Sequence, residues 1–391
     1  GDGKETFLLQ LLVHLPHQQA GVTGCRFPDE HYPSELLIFR KRIPRGVRFF
    51  LCKEEFPMLL FKPDYYDCFR CAAGECPDSC CKEWEVEIDD ASARFYRTLL
   101  GTLGDRLREV MRTADGKTSM SIIDGRCPMW RSDGLCRIQA ELGESALCET
   151  CRMFPRLTHD YGDFAELGLE LSCPEAAKLI LNAPLAPLTV DTRPDGGTPG
   201  YDVEAMASLK ASREVMLSIL SDESHSVGES LALGLLYGCQ AQSELDGGEE
   251  SPFDAGAALE TAAALAKPGN PADVLDFFLG LELLTPQWET MLRHPDPGNW
   301  TQHHRALARY LTQRYWLQAV SDYDLYCRVK FILISCLLVR LVGGDIFSTA
   351  QLYSKEVEND TDNVEAILDA AYAHPAFTDD KLLGMLFSCS I

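Results

Sequence analysis

The spacing of the cysteines constrains this chain more than any other feature. The stretch CFRCAAGECPDSCCKEW, residues 68–84, holds five cysteines within fourteen residues and includes the adjacent pair Cys80 and Cys81. Ten of the sixteen cysteines in the 391-residue chain lie between Cys68 and Cys173. Either these thiols pair with one another or they hold an inorganic group, so the fold must bring distant segments together.

Three interpretations of the cysteines compete. A disulfide framework suits small secreted domains, but stable disulfides are rare in the cytosol, and a chain of this length can bury a core without them. Coincidental core thiols do not explain ten cysteines in polar, turn-rich sequence. Thiolate ligation of zinc or of an iron–sulfur cluster is favoured. The C-x2-C pairs at 68–71 and 148–151 keep zinc open, while the steps Cys76-Pro77, Cys127-Pro128 and Cys173-Pro174 are like the Cys-Pro that ends a bacterial ferredoxin motif.

Charge and missing motifs exclude several classes of protein. The net charge of −23 argues against a nucleic-acid binder, which needs a basic face. The chain has no G-x-G-x-x-G, Walker, G-x-S-x-G or H-E-x-x-H motif, so a reactive centre would have to be the thiol cluster. The best apolar run, residues 331–342, is too short for a membrane span and contains Arg340. Without a clear export signal, we expect a cytoplasmic protein.

The sequence predicts a mainly α fold in four parts. Residues 1–57 are compositionally atypical, with the basic run RKRIPRGVR at 40–48, and are interpreted as a disordered or non-native extension. Residues 58–182 form a cysteine-rich, metal- or cluster-binding domain with short β-hairpins, residues 183–201 a linker, and residues 202–391 an all-helical domain.

Local patterns refine the cysteine-rich part. Residues 91–112 have the spacing of one amphipathic helix, weakened by Gly101 and Gly104. Ser132-Asp133-Gly134 predicts a hairpin turn that brings Cys127 near Cys136. A helix that begins near Ser172 and Pro174 would place Cys173 at its N-terminus, where the dipole favours a thiolate. The only histidine of this region, His159, is expected in a solvated loop, and the apolar segment 325–342 is expected to be a buried central helix.

Three blocks carry a resemblance to a known family. They are DYYDCFRCAAGECPDSCCKEWEVEID, DGRCPMWRSDGLCRIQAELGESALCETCRMFPR and LELSCPEAAKL. Together they resemble the flagellin lysine N-methylase family, and the first also resembles a cysteine-rich zinc- or iron-chelating domain. The likeness is strong from Asp64 to about Leu181, generic from there to the C-terminus, and absent over residues 1–57.

The resemblance implies an enzyme, its cofactors and its partner. It implies a protein-lysine N-methyltransferase that uses S-adenosylmethionine, carries an iron–sulfur cluster of the 4Fe-4S type and modifies flagellin, with zinc as the alternative metal. The positions that fit the family pattern, and so the implied metal ligands, are Cys71, Cys76, Cys80, Cys81, Cys127, Cys136, Cys151 and Cys173. Cys68 and Cys148 fit less well and rank as accessory. The spacing departs from the C-x3-C-x2-C triplet of radical-type enzymes.

Methylation also requires groups that handle the amine. A lysine amine has a pKa of about 10.4 and must lose a proton before it can attack a methyl group. Tyr65, Tyr66 and Asp67 are candidate catalytic residues, and Trp84, Arg152 and Arg156 are candidate cofactor-binding residues. The alternative role of the aromatic side chains is packing, and that of the arginines is ion pairing. The alternative function for the whole chain is a non-catalytic zinc- or iron-binding module for structure, metal delivery or protein interaction.

Overall fold

The structure, a computed structural model, describes residues 57–82, 86–114, 116–194 and 196–388. Of the predicted extension at residues 1–57, all but Pro57 lies outside the described residues, and so does the candidate residue Trp84.

The described residues contain two small sheets. Their strands are β1 (Met58–Lys62), β2 (Val86–Ile88), β3 (Met111–Ala114), β4 (Lys117–Met120), β5 (Arg156–Asp160), β6 (Phe164–Leu169) and β7 (Thr189–Arg193). One sheet has the order β5–β6–β1–β7 and the other the order β2–β4–β3. β1 runs parallel to β6 and antiparallel to β7. The pairing of β1 with β6 brings together the two ends of the segment that carries most of the cysteines. β7 lies within the predicted linker, so residues 183–201 supply an edge strand.

The helix predicted over residues 91–112 is two helices, α1 (Asp90–Thr98) and α2 (Gly101–Val110), followed by β3. The single-helix prediction is wrong because the chain turns back at Leu99. Gly101 adopts a φ of +80° at the start of α2, and a Cβ atom on Gly104 would lie 2.1 Å from the Leu99 carbonyl oxygen. Both glycines therefore permit a close return of the chain rather than weakening a continuous helix.

Helices dominate the described residues, which confirms the predicted fold class. The cysteine-rich part adds α3 (Arg137–Leu142), α4 (Glu149–Met153) and α5 (Pro174–Asn182). The C-terminal part contains α6 (Val203–Ser221), α7 (Val227–Leu245), α8 (Ala255–Leu265), α9 (Pro271–Leu279), α10 (Pro286–Arg293), α11 (Gln302–Tyr315), α12 (Leu325–Val342), α13 (Ile346–Tyr353), α14 (Thr361–Ala373) and α15 (Asp379–Phe387). A π-helical turn at Ser354–Glu358 follows α13.

The helix α12 is the centre of this part. All 18 of its residues are buried, as the apolar run predicted. None of the described helices has the length and apolar character that crossing a bilayer would require.

Apolar side chains form two separate cores. The small core lies between the three-stranded sheet, α1 and α2, and includes Tyr96, Leu107 and Met129. The large core extends from β6 and α5 through the helices of the C-terminal part and includes Phe164 and Trp316. Cysteines belong to both cores, since Cys127 and Cys148 lie in the small core and Cys173 in the large one. The candidate site is where the two meet.

Candidate thiol site and adjoining cleft

The loop that carries Cys76 and Cys80 is held against the C-terminal helices by one carboxylate. Asp78 Oδ2 lies 3.2 Å from Lys355 Nζ and accepts a hydrogen bond of 3.2 Å from Gln351 Nε2. Gln351 also donates to the carbonyl of Ser172 at 2.7 Å, directly before Cys173. Asp78 thus positions the cysteine loop beside the start of α5.

Cys173 lies at the N-terminus of α5, as the sequence predicted, but it is itself the N-cap in place of Ser172, and it is buried. The start of the helix favours a thiolate here, as expected, but burial opposes it more strongly. Burial raises the pKa of Cys173 to about 11, although the backbone N–H groups of Ala176 and Glu175 lower it. Burial in apolar surroundings outweighs the two donors unless a nearby cation compensates the charge.

A tight turn positions the next two cysteines. Residues Trp130 and Cys136 form a β-bridge, the Arg131 N–H donates to the Leu135 carbonyl at 2.9 Å, and Gly134 has a φ of +79°. This confirms the predicted turn. The Cys127 N–H donates to the carbonyl of Cys81 at 2.7 Å, so the first cysteine loop is joined to the turn by backbone hydrogen bonding.

Cys148 and Cys151 lie at the start of α4. Asp89, the N-cap of α1, accepts hydrogen bonds from Ser92 N and from Glu149 N, each at 2.9 Å. The pKa of Asp89 is therefore lowered to about 2. This shared carboxylate ties α4 to α1 and places both thiols against the small core.

The cysteines fall into two interacting sets. In the first thiol group, Cys173 interacts electrostatically with Cys76 and Cys71, and Cys80 with Cys71 and Cys173. In the second thiol group, Cys81 hydrogen-bonds to Cys127, Cys148 hydrogen-bonds to Cys151, and Cys136 interacts with Cys81 and Cys148. The neighbours Cys80 and Cys81 join the two groups through a side-chain hydrogen bond.

Hydrogen bonding makes the thiols of the second group unequal. Hydrogen bonds from Cys127 and Cys80 lower the pKa of Cys81, and the same bonds raise the pKa values of those two donors. Likewise the hydrogen bond from the Cys151 thiol lowers the pKa of Cys148, and the pKa of Cys151 is raised. The thiols therefore ionise one at the expense of another, and ionising several together requires positive charge at the site.

All eight predicted ligands belong to these two groups, and so does Cys148, which had ranked as accessory. The C-x2-C spacing between Cys148 and Cys151 could have identified Cys148 as a candidate ligand. Cys68, the other accessory cysteine, is exposed, and its thiol donates to the Asp64 carbonyl at 3.8 Å.

The two groups do not have the geometry of a single-ion site. Within the described ranges, no set of three or more histidine, cysteine, aspartate or glutamate side chains could hold one metal ion as placed. An iron–sulfur cluster is bound differently, because its thiolates attach to separate iron atoms. Sulfur-only donors are of the type that such a cluster takes; zinc accepts the same donor type but would need three or more of these thiols grouped around one ion.

The candidate catalytic residues have different surroundings. Tyr65 lines two adjoining clefts that share Pro63, Tyr310 and Gln313. Tyr66 is half-buried near Arg156. Asp67 is exposed and pairs with Lys62 at 2.7 Å.

Neither candidate cofactor arginine lines the clefts. The Arg156 guanidinium stacks on the Phe69 ring at 5.2 Å, and Arg152 is exposed on α4.

The larger cleft is open to solvent, and its mostly apolar lining includes the polar side chains of His159, Glu166 and Arg314. His159 lines it from β5 rather than from a solvated loop, and its Nε2 atom is buried with no hydrogen-bond partner among the described residues. The expectation of a solvated histidine is wrong, because β5 pairs with β6 and turns this side chain inward. Beside it, Arg314 Nε lies 3.4 Å from Oε1 of the fully buried Glu358. Burial, and then Arg314, lower the pKa of His159.

Comparison with known proteins places the chain in the flagellin lysine N-methylase family, to which it belongs, as its cysteine motifs predicted. It is 32% identical over 130 residues to "Flagellar biosynthetic protein FliU" of Salmonella muenchen, a stretch that covers 32% of this chain and 77% of that protein. The same identity over 130 residues relates it to "Lysine-N-methylase" of Salmonella typhimurium and of Salmonella choleraesuis, and there the stretch covers 32% of each relative. The chain thus matches about a third of the length of these two relatives. No family model and no solved structure matches it.

Proposed function

We propose that this chain is a methyltransferase that transfers methyl groups from S-adenosylmethionine to lysine side chains of flagellin. The observation that carries the proposal is its membership of a family whose relatives are named for lysine N-methylation and for flagellar biosynthesis. The convergence of nine cysteines from separate segments, where the two cores meet, supports a specialised centre rather than a scattering of core thiols.

The two thiol groups would hold the inorganic centre, which we propose to be an iron–sulfur cluster of the 4Fe-4S type. Because the thiols are partly buried and compete for protons, they need a cationic group to become thiolates together. When bound, the cluster would supply that charge and fix the cysteine loops in place. Reduced thiols of this kind are maintained in the cytoplasm, where we place the reaction.

The chain's own residues have a defined task in this chemistry. They must bind the lysine side chain, exclude water from it and take the proton that its ammonium carries at neutral pH. Asp67 is exposed and occupied by Lys62, so it is a poorer candidate for this task than groups that line a cleft.

The test is mass spectrometry of flagellin co-expressed with the full chain. Methylated lysines are expected with the wild-type chain and none with an empty vector. The variant Cys81→Ala should abolish methylation, because Cys81 joins the two thiol groups, whereas Cys68→Ala, on the exposed cysteine outside both groups, should retain it.

Anaerobic purification of the same proteins separates this proposal from the alternative. A brown protein with iron and labile sulfide in the wild type and in Cys68→Ala, but not in Cys81→Ala, supports the cluster. A folded, colourless zinc protein that leaves flagellin unmodified would establish the non-catalytic module instead.

A further inference from the structure

We propose that the cleft between Tyr65 and His159 receives the side chain of the acceptor lysine, and that His159 Nε2 accepts the proton that the lysine ammonium loses. This inference rests on the proposed methyl transfer and names a site for one of its substrates.

Unsatisfied polar atoms are concentrated at this cleft. Buried side-chain nitrogen and oxygen atoms almost always have hydrogen-bond partners. Among the described residues, three of the few exceptions lie at or beside the cleft: His159 Nε2, Glu358 Oε2 and Arg213 Nε. Arg213 pairs with Glu166, which lines the cleft, and Glu358 pairs with Arg314, which lines it too. Of these three residues only His159 lines the cleft itself, and a polar ligand there would supply the partner for Nε2 that the described residues do not.

The residues that line the cleft suit a lysine side chain. Pro63, Leu157 and Leu188 can cover the methylene stem, while Tyr65 and Tyr310 offer aromatic surface to an ammonium group. Gly168 on β6 also lines the cleft, and an added Cβ atom there would meet nothing within 4 Å. The absence of a side chain there keeps the cleft open.

Burial and the charges around His159 keep its ring neutral near pH 7 and so leave it able to accept a proton, although the lowered pKa makes it a weaker base than a free histidine. Arg314 faces it from α11 and Glu166 from β6, and these two charges are themselves paired with Glu358 and Arg213. Burial and Arg314 lower the pKa of His159, so the ring is neutral near pH 7. A neutral imidazole in reach of an ammonium can act as a general base.

The proposed step balances in atoms and charge. The ammonium of the lysine gives one proton to His159 and becomes a neutral amine. Its nitrogen lone pair attacks the methyl carbon of the sulfonium donor, the carbon–sulfur bond breaks, and that electron pair stays on sulfur to leave a thioether. The product is a methylated ammonium, and the proton on His159 returns to solvent.

Two variants and one control test the assignment. His159→Gln removes the base, and we expect the methylation rate at pH 7 to fall about 100-fold. The deficit should shrink as pH rises toward the lysine pKa of about 10.4, because more of the amine is then already neutral. The control His294→Gln alters an exposed histidine at the end of α10 and should behave as wild type.

Gly168→Leu tests the cleft without touching the base. Leucine suits a strand at least as well as glycine and meets no atom at its Cβ position, so folding should be preserved. We expect it to raise KM for flagellin about tenfold or more, and to weaken flagellin binding measured without any methyl donor, with little change in the metal content.

The outcomes distinguish the inference from the function beneath it. If the wild-type chain methylates flagellin while His159→Gln keeps its rate and pH profile, and Gly168→Leu keeps its KM, the site assignment is overturned and the function stands. If the wild-type chain with its full metal content modifies no lysine, both fall together.

Discussion

A buried ion pair beside the cleft gives the sharpest prediction about stability. Arg213 on α6 donates to both carboxylate oxygens of Glu166 on β6, at 2.8 and 2.6 Å, and their side chains are only 6% and 11% exposed. Arg213→Met keeps most of the apolar volume but leaves the carboxylate buried without its partner. Breaking a buried pair in this way costs about 3–5 kcal/mol. At about 1.4 kcal/mol per tenfold change, the unfolding equilibrium should shift by roughly a factor of 1,000.

Urea denaturation of a double-mutant cycle measures the effect. Glu166→Gln combined with Arg213→Met removes both charges and should recover at least about 2 kcal/mol of the loss, because no buried charge is then unpaired. Arg293→Met is the control, since its pair with Glu289 at 2.9 Å is half-exposed and contributes less than about 1 kcal/mol. A loss below about 1 kcal/mol for Arg213→Met, or strictly additive effects in the cycle, would refute the reasoning.

Three further predictions concern pH, packing and metal. Burial lowers the pKa of His304 to about 4, below the value of about 6.5 expected in the unfolded chain. The stabilisation is therefore complete above pH 6.5, and about 2 kcal/mol of the free energy of unfolding is lost between pH 7 and pH 5. The urea midpoint should fall less between these two pH values in His304→Gln than in the wild type. Gly384→Ala would bring a Cβ atom to 1.8 Å from the Lys267 carbonyl and should cost about 1–3 kcal/mol, whereas Gly298→Ala, which meets nothing within 4 Å, should cost less in the same urea assay. Chelation of the metallated protein should raise hydrogen exchange in residues 86–151 much more than in α12, and uniform exchange would contradict this.

The sequence predicted what depends on local spacing. The turn before Gly134, the start of α5 at Cys173 and the buried α12 all follow from residue types within a few positions of one another. The proximity of the cysteines to one another also follows, because thiols at this density in polar, turn-rich sequence indicate a shared role.

The predictions that were wrong concern features set by contacts between distant segments. Residues 91–112 have the period of one helix, but the break at Leu99 is set by packing on the small core. His159 looked like a loop residue because its burial comes from pairing with β6 and from α11, about 150 residues further along the chain. The cleft has residues from β5, β6, α11 and the segment after β1, and no local pattern predicts such a meeting.

The adjacent pair Cys80 and Cys81 accounts for the density of the cysteine loop. Cys80 interacts with Cys173, which belongs to the large core, and Cys81 with Cys127, which belongs to the small core. Two neighbouring residues therefore reach both cores at once, and a longer spacing would let the cores separate. A thiolate-bound cluster at this point would link the cores covalently through sulfur. The integrity of the small core, which has few buried residues of its own, would then depend on the inorganic centre, while the large core would persist without it.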